Sequence, residues 1–180
     1  MNNPPIRLID PIPDLYQTFM RYREAFGCST ENYRLGALRF TPQDNFADAV
    51  AASLAARSQH DNLPEDITPH SIFWLVNQSD QMLGHVALRH ELNEALTIFG
   101  GHIGYSVHPD HRNKGYATYM VKQMIPLAMC MNITRLLISC DVDNIASNKV
   151  IQKCGGILEN TLTIPDRPVP LNRYWIDIEQ

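Results

Sequence analysis

Residues Gly100 to Ala117, GGHIGYSVHPDHRNKGYA, hold the groups whose types and spacing suit an anion. The core of the stretch is Arg112-Asn113-Lys114-Gly115-Tyr116-Ala117, where residue alternation gives way to helical spacing. A helix start carries unpaired backbone N–H groups and the positive end of the helix dipole. With no side chain at Gly115, an anion can come close to that backbone. Ala117 keeps the first turn uncrowded, and Arg112 and Lys114 add positive charge at the mouth. The stretch reads as a phosphate cradle on a strand-to-helix turn, or as an ordinary connecting loop with one glycine. It is not the nucleotide P-loop, G-x-x-x-x-G-K-[ST], because the order here is Lys114-Gly115 and no second glycine has the required spacing.

The elements that must position these residues follow from periodicity. Ile103, Tyr105 and Val107 alternate with His102, Gly104 and Ser106, as in a strand. Pro109 and Asp110 end it. Ala117, Met120, Val121, Met124 and Ala128 lie on one stripe of a helix that is expected to reach about Met131. Pro126 should kink that helix or end its regular part. Thr134 to Cys140 is a strongly apolar strand. Asn144 to Lys153 is a short helix that turns Val150, Ile151 and Cys154 inward, with Gly155 as its C-cap.

Two blocks together resemble the GNAT superfamily of acetyl-CoA-dependent N-acetyltransferases. The first is Arg112-x-x-Gly115-x-Ala117, which is similar to the family's [Q/R]-x-x-G-x-[G/A], preceded by I-G-Y-S-V-H-P like its fourth strand. The second is Asp143-Asn144-Ile145-Ala146-Ser147 with Gly155-Gly156 one short helix later, like its fifth strand, fourth helix and following turn. L-R-H-E-L-N, C-D-x-D-N-I-A-S-N-K-V-I and Arg173-Tyr174-Trp175-Ile176 look like a bacterial group of predicted acetyltransferases. The resemblance implies an α/β fold with a mixed, mostly antiparallel central sheet, splayed between strands four and five and flanked by helices. Strand five is expected to run parallel to strand four.

It further implies acetyl-CoA as cosubstrate, no metal, and direct transfer to an amine of a small molecule or peptide. Carried over by position, the CoA-binding residues are Ser106, Val107, His108, Arg112, Asn113, Lys114, Gly115, Tyr116, Ala117, Thr118, Asn144 and Ser147. A backbone N–H near Val107 is the implied oxyanion donor. Asn144 reads equally as a helix N-cap, and both roles are compatible.

The proton acceptor is less well specified. In ribosomal-protein acetyltransferases a strand-five glutamate is the base and a helix-four tyrosine the acid. The matching positions here are Ser139 and Ile151, which cannot do that work. Many relatives carry a glutamate just before the I-G-Y, and here that position is His102. With a reference pKa near ~6.5, His102 can be read as base or water-holder, or as a satisfied strand histidine. Glu91 and Asp141 are the next candidates, and Tyr174 is read as a thiolate donor or a buried aromatic. Cys140 raises an acetyl-cysteine route, against the usual reading of buried cysteine as a small hydrophobe. His102, His108 and His111 without a carboxylate partner do not make a metal site. A non-catalytic acyl-CoA-binding module is the alternative function, and a nucleotide-binding domain is disfavoured by the missing P-loop.

The remaining sequence bounds these readings. At 180 residues the chain suits one domain, taken as 1–180. A net charge of −4 argues against a nucleic-acid partner. No apolar run spans a membrane. Cys28, Cys130, Cys140 and Cys154 show no C-x-x-C, and Met1 to Pro5 lacks the regions of a secretory leader; reduced thiols and a cytoplasmic location are expected. A homodimer is expected from the resemblance.

Ile6 to Ile9 reads as a strand, and Pro11 to Asp14 as a turn and helix cap before a stripe of Leu15, Phe19, Tyr22, Arg23 and Phe26. A second helix is expected from Thr41-Pro42, with Phe46, Ala49, Val50 and Leu54 inward. In the resembled fold these two helices shape the acceptor side. Arg57 to Pro69 is a connector or lid, Ser71 to Val76 and Met82 to Arg89 are strands, and Gly84 marks a bulge. Glu91 to Phe99 is a connection, and Ile157 to Thr163 with Asn172 to Ile178 forms a closing antiparallel pair.

Overall fold

Alternating and fully apolar runs between residues 70 and 89 form the two longest strands, β2 (His70–Asn77) and β3 (Met82–Arg89), and the rest of the first sheet grows on them. The computed structural model describes residues 5–27, 44–58, 63 and 67–178. Among these, β1 (Ile6–Ile9) leads through a 3-10 turn (Pro13–Leu15) to α1 (Tyr16–Glu24), and α2 (Phe46–Ala55) precedes β2. After β3 come α3 (Glu94–Ile98), β4 (Ile103–Val107), a second 3-10 turn (Pro109–His111) and α4 (Tyr116–Cys130). β5 (Arg135–Asp141), α5 (Ile145–Lys153), β6 (Ile157–Leu162) and β7 (Leu171–Asp177) complete the order.

The strands form two antiparallel sheets, β1-β2-β3-β4 and β5-β7-β6. β3 is buried almost throughout because both its faces are covered. Phe19, Tyr22, Phe46 and Val50 of α1 and α2 pack with Trp74 and Ala87 on one face. Val86 and Leu88 face the other way, into a second core with Met120, Val121 and Met124 of α4. That second core continues under the other sheet through Leu136, Ile138, Cys140, Ile151 and Tyr174. One apolar layer therefore ties the two sheets together beneath α4 and α5.

The sheets meet at a single apex. An isolated bridge of antiparallel type joins Gly101 to Ile138. His102 N–H donates to Leu137 C=O at 2.7 Å, and Leu137 N–H donates to His102 Nδ1 at 2.9 Å. Gly100 N–H donates to Ser139 Oγ at 2.8 Å, and Arg89 Nη1 to Gly101 C=O at 2.8 Å. From there β4 and β5 advance in the same sense but apart. The next link across the gap is Tyr105 Oη to Ser147 Oγ at 2.8 Å, on α5 beyond the end of β5. The expected splay is present, with β4 and β5 in separate sheets.

Several local expectations are revised. The Glu91 to Phe99 connection contains α3, capped by Asn93, whose Oδ1 accepts from Leu96 N–H. Asp14 lies inside its 3-10 turn and caps nothing by side chain. The Thr41-Pro42 cap lies outside the described residues; the described part of the second helix begins at Phe46, with Asn45 Oδ1 accepting from Ala47 N–H. Cys28 and most of residues 59–66 also lie outside them. The bulge expected at Gly84 is present: Gly84 pairs with Leu75, and Leu83 is skipped before Met82 pairs with Val76. Pro126 neither ends α4 nor interrupts it. The carbonyl its ring leaves unpaired belongs to Lys122, and both residues are exposed, so water can satisfy it. β6 and β7 pair as expected, but β7 also sits between β5 and β6.

The apex tolerates no side chain at Gly101. Its φ is +67°, and a Cβ there would stand 2.3 Å from Leu137 C=O. Gly101→Ala is expected to cost about 2–4 kcal/mol, read as a lowered midpoint in denaturant unfolding.

Candidate active site

The inner edge of β4 follows from its register. Arg89 N–H donates to His102 C=O at 2.8 Å, and His108 N–H to Leu83 C=O at 2.9 Å. Bonded pairs alternate along an antiparallel ladder, so Gly104 and Ser106 turn their main-chain groups to β3. The N–H and C=O groups of Tyr105 and Val107 consequently face the gap. Val107 C=O receives Arg112 Nε at 3.4 Å.

At the far end of the same gap α4 begins. Gly115 is its N-cap at φ +83° and supplies no side-chain capping bond, so the N–H groups of the first turn stay open. A Cβ built on Gly115 would meet nothing within 4 Å. Open space in front of an uncapped helix start is what an anion requires. The two features share one cleft of about 600 Å³. Its walls are Tyr105, Ser106 and Val107 of β4, Arg112, Asn113, Gly115, Tyr116, Ala117 and Thr118 at the turn, and Asn144 and Ser147 at the start of α5. Asn144 Oδ1 accepts from Ser147 N–H at 3.0 Å, so this cap also shapes the cleft wall.

Sequence reasoning missed His111, Ala146, Lys149, Val150 and Lys153, which also line the cleft. Lys149 and Lys153 are one helical turn apart and place two cations opposite the α4 N-terminus. Their spacing after Asn144 was the available signal. It resembles that of any solvated helix face.

Three residues expected at the site stand off the cleft wall. Lys114 Nζ turns back to Asp110 C=O and His111 Nδ1, both at 3.3 Å. His108 Nδ1 accepts from Asp110 N–H at 3.2 Å, and its ring lies 6.0 Å from that of Tyr22 on the α1 side. His102 is buried at the apex. Its Nδ1 lone pair is taken by Leu137 N–H, which puts the neutral ring's proton on Nε2 and leaves no lone pair for a substrate. Burial, and then the Arg89 charge, lower its pKa to about 4.

The other proton-transfer candidates are also engaged. Asp141 is ion-paired with Arg167. Tyr174 Oη donates to Asn148 Oδ1 at 2.6 Å, as a buried aromatic with a satisfied hydroxyl. Burial pushes the Cys140 thiol up, away from the thiolate an acetyl-cysteine route needs. Glu91 is exposed on the turn after β3. Among the described residues no three His, Cys, Asp or Glu side chains gather as a metal site, and no helix is long and apolar enough to cross a membrane.

Two measurements check this geometry. The Cβ of Gly115→Val would meet no protein atom within 4 Å, so the fold should survive with a loss of thermal stability from the positive φ. The stabilisation conferred by acetyl-CoA should disappear. The second concerns pH. His85 and His102 both have pKa values lowered to about 4, chiefly by burial, against 6.5 when exposed. The unfolded chain then binds more protons than the folded one between those values. Stability should be full above pH 6.5 and fall as pH drops toward 4, and denaturant midpoints should track it.

The family model described as "Acetyltransferase (GNAT) domain" matches residues 20–157. An uncharacterised N-acetyltransferase of Bacillus subtilis, YnaD, is 24% identical over 144 residues, 78% of this chain and 75% of that one. The spermidine N-acetyltransferase of Vibrio cholerae, solved with CoA and spermine, superposes with a TM-score of 0.61 at 18% identity, covering 96% of this chain and 95% of that one. A GNAT-family acetyltransferase of Streptococcus pneumoniae superposes at 0.66 with 10% identity, covering 97% and 100%. The structural likenesses show the splayed fold, the family model spans both the cradle and the β4 edge, and the chain accordingly belongs to the GNAT acetyltransferase family.

Proposed function

We propose that the protein transfers the acetyl group of acetyl-CoA directly to an amine of a small molecule or peptide. The observation that carries this reading is the continuity of one cleft from an uncapped helix start to an unpaired strand edge. The open N–H groups at Gly115 to Thr118 suit a diphosphate, and Arg112, Lys149 and Lys153 supply countercharge. The gap-facing groups of Tyr105 and Val107 suit the amides of an extended arm, which would add to β4 as a further strand does. Val107 N–H is the oxyanion donor in this reading. When bound, acetyl-CoA supplies the acyl group as a thioester, whose C–S bond breaks as the amine's C–N bond forms and the amine loses a proton.

The arm occupies the gap from the α4–α5 side, which leaves the α1 side for the amine. His102 anchors the apex there; it does not act as the base. Water carries the proton away, since His102, Asp141 and Tyr174 are all engaged. The same engagement favours the second reading, an acyl-CoA-binding module without turnover. A cytoplasmic location and self-association as a homodimer belong to the proposal as well.

A thermal-shift series with acetyl-CoA, followed by free-thiol release over a panel of amines, tests this. Stabilisation and thiol release together are expected. Stabilisation with no release from any amine would favour the binding module, and no stabilisation would overturn both readings. The rate should climb with pH as the ammonium of the acceptor ionises. It should show no inflection near 6.5, because His102 is already neutral above about 4.

A further inference from the structure

Arg89 is a cation with no anionic partner among the described residues. It ends β3 on the same face as His85 and Ala87, the face covered by α1. Its Nη1 donates to Gly101 C=O at 2.8 Å, and among the described residues it makes no other hydrogen bond and no ion pair. Most of its surface is covered, and burial disfavours its charge. Arginine does not shed that charge in a protein, so a covered and unpaired guanidinium is a standing electrostatic cost. The arginines of the second sheet are treated differently: Arg135 Nε pairs with Asp177 at 2.7 Å, Arg167 with Asp141, and Arg173 Nη1 with Glu159 at 2.9 Å.

On the acetyl-transfer reading, the guanidinium also lies on the acceptor side of the gap. A Cβ on Gly104 would stand 3.8 Å from both Nη1 and Nη2, so the group spreads over the bare main chain of β4. Gly104 and Ser106 share the α1 face, opposite the α4–α5 side from which the acyl arm enters. Val107 lies three residues further on, on the order of 10 Å along the strand. His102, which faces Arg89 across the ladder, is neutral and already bonded to Leu137.

We infer that Arg89 is an acceptor-binding residue, and that the amine this enzyme acetylates carries an anionic group, a carboxylate or a phosphate ester, which docks on its planar fork. The inference rests on the acetyl-transfer reading above. It predicts a preference opposite to that for a polyamine, since a second ammonium near Arg89 is repelled.

Four primary amines of similar length separate the possibilities: 5-aminopentanoate, 3-aminopropyl phosphate, pentylamine and 1,5-diaminopentane. The wild-type protein should favour one or both anionic amines in kcat/KM, and the one favoured identifies the anion. In Arg89→Gln the ratio of anionic amine to pentylamine should fall about 30-fold, the scale of hydrogen bonds to a charged group. Arg89→Lys should recover part of it. A readout without turnover runs in parallel: 5-aminopentanoate and 3-aminopropyl phosphate should further stabilise the CoA-loaded wild type and not CoA-loaded Arg89→Gln. If acetyl-CoA stabilises both proteins equally, both are folded and loaded. Indifference to the four amines, or an unchanged ratio in the variant, then overturns the role of Arg89 alone. If acetyl-CoA stabilises neither, the transfer reading falls and this inference with it.

Discussion

The structure depends on a pairing that begins and is not continued. β4 and β5 are tied at Gly101, His102, Leu137 and Ser139 and then part. Main-chain groups buried without partners are costly, and a gap of this kind would ordinarily close. It stays open because the sheets are held from below. The apolar layer under α4 and α5 fixes both sheets, and the Tyr105–Ser147 contact spans the opening further out. The unpaired edge of Tyr105 and Val107 is thus a built feature, and it is the surface against which an acyl arm can lie.

The cradle follows from the same arrangement. α4 packs on β3 and β4, so its N-terminus necessarily emerges at the open end of β4. α5 begins just past β5 and faces it across the gap. Strand edge, helix start and lysine pair therefore converge through packing alone. The acceptor face is built from different material: α1 aromatics, a neutral buried His85 bonded through Nδ1 to Tyr22 Oη, and Arg89, which has no ion pair among the described residues. One side of the gap carries several cations suited to a diphosphate, and the other presents Arg89, which would orient a smaller ligand.

Legibility in the sequence varied with the length of each signal. The strands from 6 to 9 and 82 to 89 were readable to the residue, because Pro5 and Asp10-Pro11 bracket the first and the polar pairs Asp80-Gln81 and His90-Glu91 bracket the second. The cradle was readable because Arg112, Gly115 and Ala117 are a local pattern. α3 was not, since five residues hold too little periodicity and only Asn93 announced them. For His102, residue type left a base and a satisfied strand histidine both open, because the distinction depends on Leu137, 35 positions away. Lys149 and Lys153 were overlooked because their function depends on what stands opposite. Arg89 gave no signal at all, since the lack of a counter-ion is a property of the folded chain.

The position of β7 has a consequence for how the molecule comes into being. The first sheet keeps its strands in chain order, although β1 reaches β2 only across α1 and α2. The second does not: β5 lacks its ladder until β7 inserts between it and β6. Long-range pairing of this kind is the slow part of folding. During synthesis the helix start and one strand edge can therefore exist before the opposite wall is secure, and the ability to grip a cosubstrate should switch on late, as a single event.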